Sequence, residues 1–169
     1  KRVKLLLDND INLFGFHLPI DAHESLGNNA ILADILDLTE RQPFANYKGT
    51  EIGFKGQLNK PAQDIFDIIE EEVNSDALIF PFGPGEVKQA GIVSGGADKN
   101  IKDAIKEGLD LFITGEASEH IMHYAKEENI HFVGAGHHAT EKFGPRAIGE
   151  HLQEKFDVDV KFINIPNPV

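Results

Sequence analysis

Apolar residues along the chain follow two spacings, which predict strands and helices in alternation. Compact apolar runs that end at Gly or Pro, such as residues 77–83 and 130–136, predict buried strands. Apolar residues three and four positions apart, as in residues 61–73, predict a helix with one buried face. The predicted strands are residues 11–20, 51–58, 77–83, 87–97, 110–117, 130–136 and 158–166. The predicted helices are a short helix that ends near Asp8, followed by residues 28–38, 61–73, 100–109, 118–129 and 138–156.

This order of elements favours an α/β fold in two lobes, with mixed, largely parallel sheets. Residues 39–48 predict a polar connection, and the candidate domain boundaries lie near residues 42–49 and near Asn129. We therefore expect residues 1–42 and 130–169 to form a first α/β lobe and residues 49–128 to form an inserted second lobe. The opening residues look like the end of a helix without its N-cap, so we expect the N-terminal part of the first lobe to be missing.

Composition and charge narrow the classes of function. The chain has 169 residues, and no apolar run approaches the length of about 18 residues that a membrane span requires. The absence of cysteine excludes thiolate metal sites, so any metal must be bound by His and carboxylate side chains. A net charge of −12 makes nucleic-acid binding an unfavourable interpretation, although a bound dication would still admit an anionic small substrate. We expect a soluble, cytoplasmic protein without a signal peptide.

Polar residues that suit chemistry cluster where the predicted strands end. In open α/β sheets, ligands bind beyond the carboxyl ends of the strands. These positions hold His17, Asp21, His23, Ser94, Gly95, Gly96, Thr114, Gly115, Glu116, His137, His138 and Glu141.

His137 and Glu141 form the most specific pair in this set. Residues four apart share one face of a helix, so both side chains can bind one ion. Imidazole with carboxylate suits Zn, Mn, Fe, Co or Ni better than Ca or Mg. The alternative is an ordinary helix N-terminus, where an acidic side chain interacts favourably with the helix dipole. Asp21 is a third candidate ligand, a carboxylate that can bridge two ions, and its alternative role is a turn or cap residue.

The other candidates carry weaker signals. Glu116 follows a strand and can act as a general acid or base, but a plain strand-to-helix turn explains it equally well. His17 lies within a predicted apolar strand, which favours a structural or supporting role, and His131 also favours a structural role. The pair His120 and His123 favours a surface or interface position. Residues 94–98, Ser-Gly-Gly-Ala-Asp, resemble a phosphate-binding turn but lack the Lys of a P-loop.

Several motifs spread over nearly the whole chain resemble those of one family. In order, they are H-x-P-x-D at residues 17–21, T-G-E at 114–116, G-H-H-x-x-E at 136–141 and a closing FINIPNP at 162–168. Together they resemble the GTP cyclohydrolase I type 2 family, also called the Nif-three-like di-metal proteins. The resemblance implies a two-lobed α/β fold with two metal ions in the cleft and assembly into a toroidal homohexamer.

The resemblance also implies particular roles for site residues. Asp21, His137 and Glu141 would be metal ligands, with carboxylates that span both ions, and Glu116 or His138 would move protons. An upstream His-His-Gly segment that supplies further ligands in the family is not in this sequence, so one ion or none is expected on residues 1–169 alone. The implied reaction is hydrolytic opening of the purine ring of GTP, by metal-activated water that attacks an electrophilic ring carbon.

Three hypotheses about function follow. The first is a di-metal hydrolase that acts on a nucleotide or a related small molecule. The second is a metal-binding, ring-shaped adaptor protein that binds partners without turnover. The third is a structural α/β domain without a bound metal.

Overall fold

A computed structural model describes residues 1–168 as eight α-helices, six strands and a short 3-10 turn at Asp98–Asn100. The helices are α1 (Arg2–Asp8), α2 (Leu18–Asp21), α3 (Asn28–Ile35), α4 (Ala62–Glu72), α5 (Ile101–Lys106), α6 (Ile121–Glu127), α7 (His137–Glu141) and α8 (Phe143–Phe156). The strands are β1 (Thr39–Tyr47), β2 (Thr50–Pro61), β3 (Leu78–Pro81), β4 (Glu86–Ile92), β5 (Leu111–Thr114) and β6 (His131–Gly134). Within residues 1–168, no helix is long and apolar enough to cross a membrane.

The six strands in residues 1–168 form one mixed sheet in the order β1-β2-β4-β5-β6-β3. The central pairs β4–β5 and β5–β6 are parallel, whereas β1–β2, β2–β4 and β3–β6 are antiparallel. This confirms the α/β class and the mixed sheet, with parallel pairing confined to the centre. The edge position of β3 agrees with Pro81, which cannot donate a ladder hydrogen bond.

Alternating side chains of the central strands build one apolar core on each face of the sheet. Leu111, Ile113 and Val133 pack on the face that α3 and α4 cover. Phe112 and Phe132 point to the opposite face and pack with apolar residues of α5 and α6. The period of two in strands thus gives the sheet two buried faces, which explains why β5 and β6 are rich in apolar residues at consecutive positions.

Three sequence predictions about elements were wrong. Residues 11–17 form no regular element, and the segment predicted as a strand ends instead in helix α2. Residues 39–47 form strand β1 rather than a polar connection, because they pair with β2 and bury Phe44 and Ala45. Residues 158–166 are not a strand in this structure. Strand β6 lies between β5 and β3 in the same sheet, and the division into two lobes stays a prediction.

Candidate metal centre

The loops that follow the parallel strands β4, β5 and β6 lie side by side at one edge of the sheet. Thr114 pairs with Gly134, and Ile92 pairs with Ile113, so the three carboxyl ends are level. The Gly115 N–H donates to the Gly95 carbonyl at 2.9 Å, and the Gly136 N–H donates to the Gly115 carbonyl at 2.8 Å. These two bonds hold the three loops in contact and bring their polar side chains to one place.

His137 begins α7 and lies between two carboxylates. Its Nδ1 is 2.5 Å from Oε1 of Glu116, in the loop after β5. Its Nε2 is 3.3 Å from Oε2 of Glu141, one helical turn later. The predicted four-residue spacing therefore does bring His137 and Glu141 together on one helix face, and Glu116 contacts the opposite side of the same ring.

A second His–carboxylate pair approaches Glu141 from helix α2. His17 Nε2 lies 3.8 Å from Oδ2 of Asp21, again four residues later. One ligand atom each from His17, Asp21 and Glu141 lies within 4.8 Å of the other two. Glu141 thus belongs to the His137–Glu141 pair of α7 and lies beside the His17–Asp21 pair at the start of α2, although these helices are far apart in sequence.

Two buried asparagines fix the position of Asp21. The Asn28 amide donates to Oδ1 of Asp21 at 2.9 Å, while Asn28 Oδ1 accepts from the Gly144 N–H at 2.6 Å. Asn29 donates to the Asp21 carbonyl at 3.2 Å and accepts from the Ser94 N–H at 2.6 Å. These bonds connect α2 to α8 and to the loop after β4, so Asp21 is held against Glu141 by the core of the fold.

Thr140 joins α7 to the loop after β4. Its side-chain oxygen, fully buried, accepts from the Gly95 N–H at 3.0 Å and lies 3.0 Å from the His137 carbonyl. The helix that carries His137 and Glu141 is thereby attached to the glycine turn that faces them. The predicted phosphate-binding turn at residues 94–98 instead packs against these side chains.

The electrostatics around Glu141 and His137 favour a bound cation. Burial raises the pKa of Glu141, and the neighbouring charge of Asp21 raises it further, against the opposing effect of His137. Burial of the ring lowers the pKa of His137, but the hydrogen bond to Glu116 and the charge of Glu141 outweigh burial, so its pKa is raised. Two carboxylates close together are unfavourable without a counter-charge, and a divalent cation supplies one. Imidazole and carboxylate donors fit a transition-metal ion.

His138 faces away from this cluster. Its Nε2 lies 3.1 Å from Oδ1 of Asn164 in the C-terminal segment. His138 and Glu116 both line a cleft of about 750 Å³ that Asn74, Lys142 and Asn164 also border. The cleft and the candidate metal site therefore meet at Glu116, which borders the cleft and contacts His137.

His17 lies in a different environment from the one its apolar neighbours in sequence predict. The apolar run predicted a buried strand, whereas the side chain of His17 is 77% exposed at the start of α2. The signal was present in the sequence, because His17 and Asp21 have the same spacing as His137 and Glu141. A helical interpretation of H-x-P-x-D, with Pro19 in the first turn, would have identified the pair.

The remaining histidines lie outside the cluster. His131 is buried, with Nδ1 accepting from the Gly83 N–H at 3.1 Å and Nε2 2.7 Å from the Pro84 carbonyl, consistent with a structural role. His23 Nδ1 accepts from the Leu26 N–H at 3.1 Å in the loop before α3. His120 is exposed and makes an edge contact with the Tyr124 ring.

Comparison with known proteins gives a consistent result over the whole chain. The family model described as Duf34/NIF3 (NGG1p interacting factor 3) matches residues 1–168. A curated protein from Haemophilus influenzae, named GTP cyclohydrolase 1 type 2 homolog, is 45% identical over 99% of this chain and 68% of its own length.

Two solved structures share the fold at high similarity. A protein of unknown function called ybgI superposes with a TM-score of 0.91 at 43% identity, over 99% of this chain and 67% of that chain. TTHA1606 from Thermus thermophilus superposes with a TM-score of 0.87 at 30% identity, over 99% of this chain and 66% of that chain. The chain thus spans about two thirds of the length of these relatives.

Proposed function

Since the chain belongs to the Duf34/NIF3 family, we propose that it carries part of a hydrolase centre that depends on divalent transition-metal ions. The proposed ligands are His17, Asp21, His137 and Glu141. The observation that carries the proposal is the convergence of two His–carboxylate pairs, each four residues apart, on the shared side chain of Glu141. Chance placement of surface acids does not account for Asp21, which is buried and held by two asparagines.

The proposed number of ions depends on Glu141, which lies beside both His17 with Asp21 and His137. One ion fits the set His17, Asp21 and Glu141, whose donor atoms are all within 4.8 Å of one another. A second ion would be held by His137 and Glu141, because a carboxylate can serve two metals. Zn, Mn, Fe, Co and Ni all suit these donors. Two ions per subunit in the full-length protein are therefore part of the proposal.

The chemistry assigned to the centre is hydrolysis. A bound divalent ion would supply Lewis-acid activation and lower the pKa of water toward neutrality. Burial of Asp21 and the hydrogen bond from Asn28 keep the ligands in place without substrate. Of the two side chains predicted to move protons, His138 is retained in this role, since it lines the cleft and Glu116 Oε1 is already bonded to His137. With Nε2 of His138 on Asn164, its Nδ1 is the atom that would accept a proton.

The substrate is proposed to be a nucleotide or a related small molecule. The cleft of about 750 Å³ beside the centre lies in the size range of small-molecule sites. The relative from Haemophilus influenzae carries the name of a GTP cyclohydrolase 1 type 2 homolog, which makes GTP the first compound to test. The net charge of −12 also means that an anionic substrate would depend on the bound ions for attraction.

The test combines metal analysis with turnover by the full-length protein. We expect stoichiometric transition metal after purification, and hydrolysis of GTP or of another compound in a nucleotide and phosphoester panel. Glu141→Ala should abolish both metal retention and turnover, whereas Glu150→Ala, which removes an exposed carboxylate of α8, should leave both unchanged. A metal-loaded protein that hydrolyses nothing in the panel would contradict the hydrolase proposal.

A metal-binding adaptor is the second candidate, and the description of the family as an NGG1p interacting factor favours it. In that case, partner capture by the full-length protein should survive Glu141→Ala. Turnover that depends on Glu141 would argue against the adaptor.

Assembly into a homohexamer is a further part of the proposal. It is supported by large exposed apolar side chains near the N-terminal end, including Leu7, Leu13 and Phe14. Light scattering of the full-length protein tests it, and a monomer at micromolar concentration would contradict it.

A further inference from the structure

We infer that Glu116 is a positioning residue for the proposed centre: it fixes the tautomer and the rotation of His137 so that Nε2 faces Glu141. A carboxylate oxygen can only accept, so the 2.5 Å contact with Oε1 of Glu116 requires the proton on Nδ1 of His137. The opposite nitrogen then has its lone pair available on the side of Glu141. This inference rests on the proposed function, in which Nε2 of His137 is a metal ligand.

The backbone next to Glu116 packs tightly against the backbone of His137. The Glu116 N–H donates to the Gly95 carbonyl at 3.2 Å, beside the bond from Gly115 to the same oxygen. A Cβ atom at Gly115 would lie 2.7 Å from the Cα of His137, so only glycine permits this approach. A tightly packed turn therefore holds the Glu116 carboxylate beside the His137 ring.

The exposure of Glu116 argues against a purely structural role. Its side chain is 48% exposed, so it fills no space in the apolar core. A half-exposed carboxylate beside a neutral ring contributes little to stability. Glu116 instead orients His137. Without Glu116, the imidazole can rotate about χ2 or change tautomer and present the wrong nitrogen to a metal. Removal of such a supporting group lowers metal affinity by about 10–100-fold.

The experiment uses the full-length protein with Zn²⁺ alone as the probe. We expect Glu116→Ala to weaken Zn²⁺ binding in chelator competition by about 10–100-fold. Glu116→Gln should keep most of the affinity, because the Gln side-chain oxygen accepts the same hydrogen bond. Glu119→Gln, an exposed neighbour, is the matched control and should change nothing.

A second readout is independent of metal. In ¹⁵N NMR spectra of the metal-free protein near pH 8, the neutral His137 ring should be the Nδ1–H tautomer in the unsubstituted protein and in Glu116→Gln. Glu116→Ala should show a mixture or the other tautomer. The Nε2–H tautomer in the unsubstituted protein, or Zn²⁺ affinity unchanged by Glu116→Ala, would overturn the inference.

His137→Ala separates this inference from the proposed function. If His137→Ala binds both proposed Zn²⁺ ions as tightly as the unsubstituted protein, the proposed role of His137 as a metal ligand is wrong. If His137→Ala loses Zn²⁺ while Glu116→Ala retains it, the centre stands and only the positioning role is wrong.

Discussion

Gly95 and Glu141 are packed so closely that no side chain fits between them. A Cβ atom at Gly95 would lie 2.3 Å from Oε1 of Glu141 and 3.2 Å from Nε2 of His137. The φ angle of Gly95 is +69°, in the left-handed region that glycine adopts without strain. The turn after β4 thus packs directly against the proposed metal ligands Glu141 and His137.

Gly95→Ala should therefore damage the metal centre as well as the fold. The left-handed backbone costs an L-residue about 1–2 kcal/mol, and the added methyl group must displace Glu141. We expect weaker Zn²⁺ binding together with a lower urea midpoint. Gly108→Ala is the matched control, because Gly108 has a φ of +70° and a Cβ atom there would meet nothing within 4 Å. It should lose similar stability and keep metal affinity, and equal Zn²⁺ binding in both variants would contradict the prediction.

Glu141→Gln should stabilise the metal-free protein at neutral pH. Burial raises the pKa of Glu141, so the protonated form is favoured in the fold, and this contribution to stability falls as pH rises from about 4.5 through the raised pKa. A neutral amide removes the buried charge, and we expect a higher Tm by calorimetry in chelator. With saturating Zn²⁺ the order should reverse, because the fold then gains binding free energy that the variant lacks. Glu150→Gln should show neither effect, and a lower Tm for metal-free Glu141→Gln would show that its hydrogen bonds dominate.

Metal affinity should fall as pH decreases through the raised pKa of His137. In the metal-free fold, the stability from this group is complete below about pH 6.5 and is lost as pH rises through the raised value. Zn²⁺ must displace the Nε2 proton, so binding should weaken by about tenfold per pH unit once the ring is protonated. Competition titrations from acid to mild alkali test this, with His120→Ala as a control that keeps the same profile. Affinity independent of pH across this window would rule out His137 as a ligand.

Asn29→Ala should be strongly destabilising. The buried side chain donates to the Ile52 carbonyl at 2.6 Å and to the Asp21 carbonyl, and it accepts from the Ser94 N–H. Each buried polar group left without a partner costs about 1–3 kcal/mol, so a loss of about 2–4 kcal/mol is expected in chemical unfolding. Asn9→Ala, which removes one exposed bond to the Leu5 carbonyl, should change stability little. A loss below about 1 kcal/mol for Asn29→Ala would mean that water replaces these bonds.

The central part of the fold was predictable because local pattern and tertiary environment agree there. In α4, Ile65 and Ile69 lie one turn apart and are both buried, as their spacing predicts. Strands β5 and β6 are buried on both faces, so consecutive apolar residues in the sequence predicted them as strands.

The wrong predictions of elements concern segments in which apolar residues are exposed or polar residues form a strand. Leu13, Phe14 and Phe16 are between 66% and 77% exposed, so their apolar run does not mark a strand in this structure. Strand β1 has the opposite problem, because most of its side chains are polar and its partner β2 decides its conformation.

Candidate site residues were found as separate pairs, and their convergence was not readable from spacing. His137 and Glu141 share a helix face, which the sequence shows directly. The approach of Asp21 to Glu141 depends on Asn28 and Gly144, a contact between distant segments that no local pattern encodes. Their positions at predicted strand ends suggested a shared edge of the sheet, and the resemblance of motifs grouped Asp21, His137 and Glu141 as ligands.

The position of β3 has a consequence for how the chain is made. β3 leaves the ribosome before β4 and β5, yet its partner is β6, through pairs such as Leu78 with Gly134. Until β6 emerges, β3 has no hydrogen-bonding neighbour, and such long-range pairing slows folding and leaves an apolar strand open to other chains. Glu141 lies in α7, after β6 in sequence, so the proposed metal site can form only once β6 has docked. The proposed ion site would therefore be among the last parts of the described fold to form.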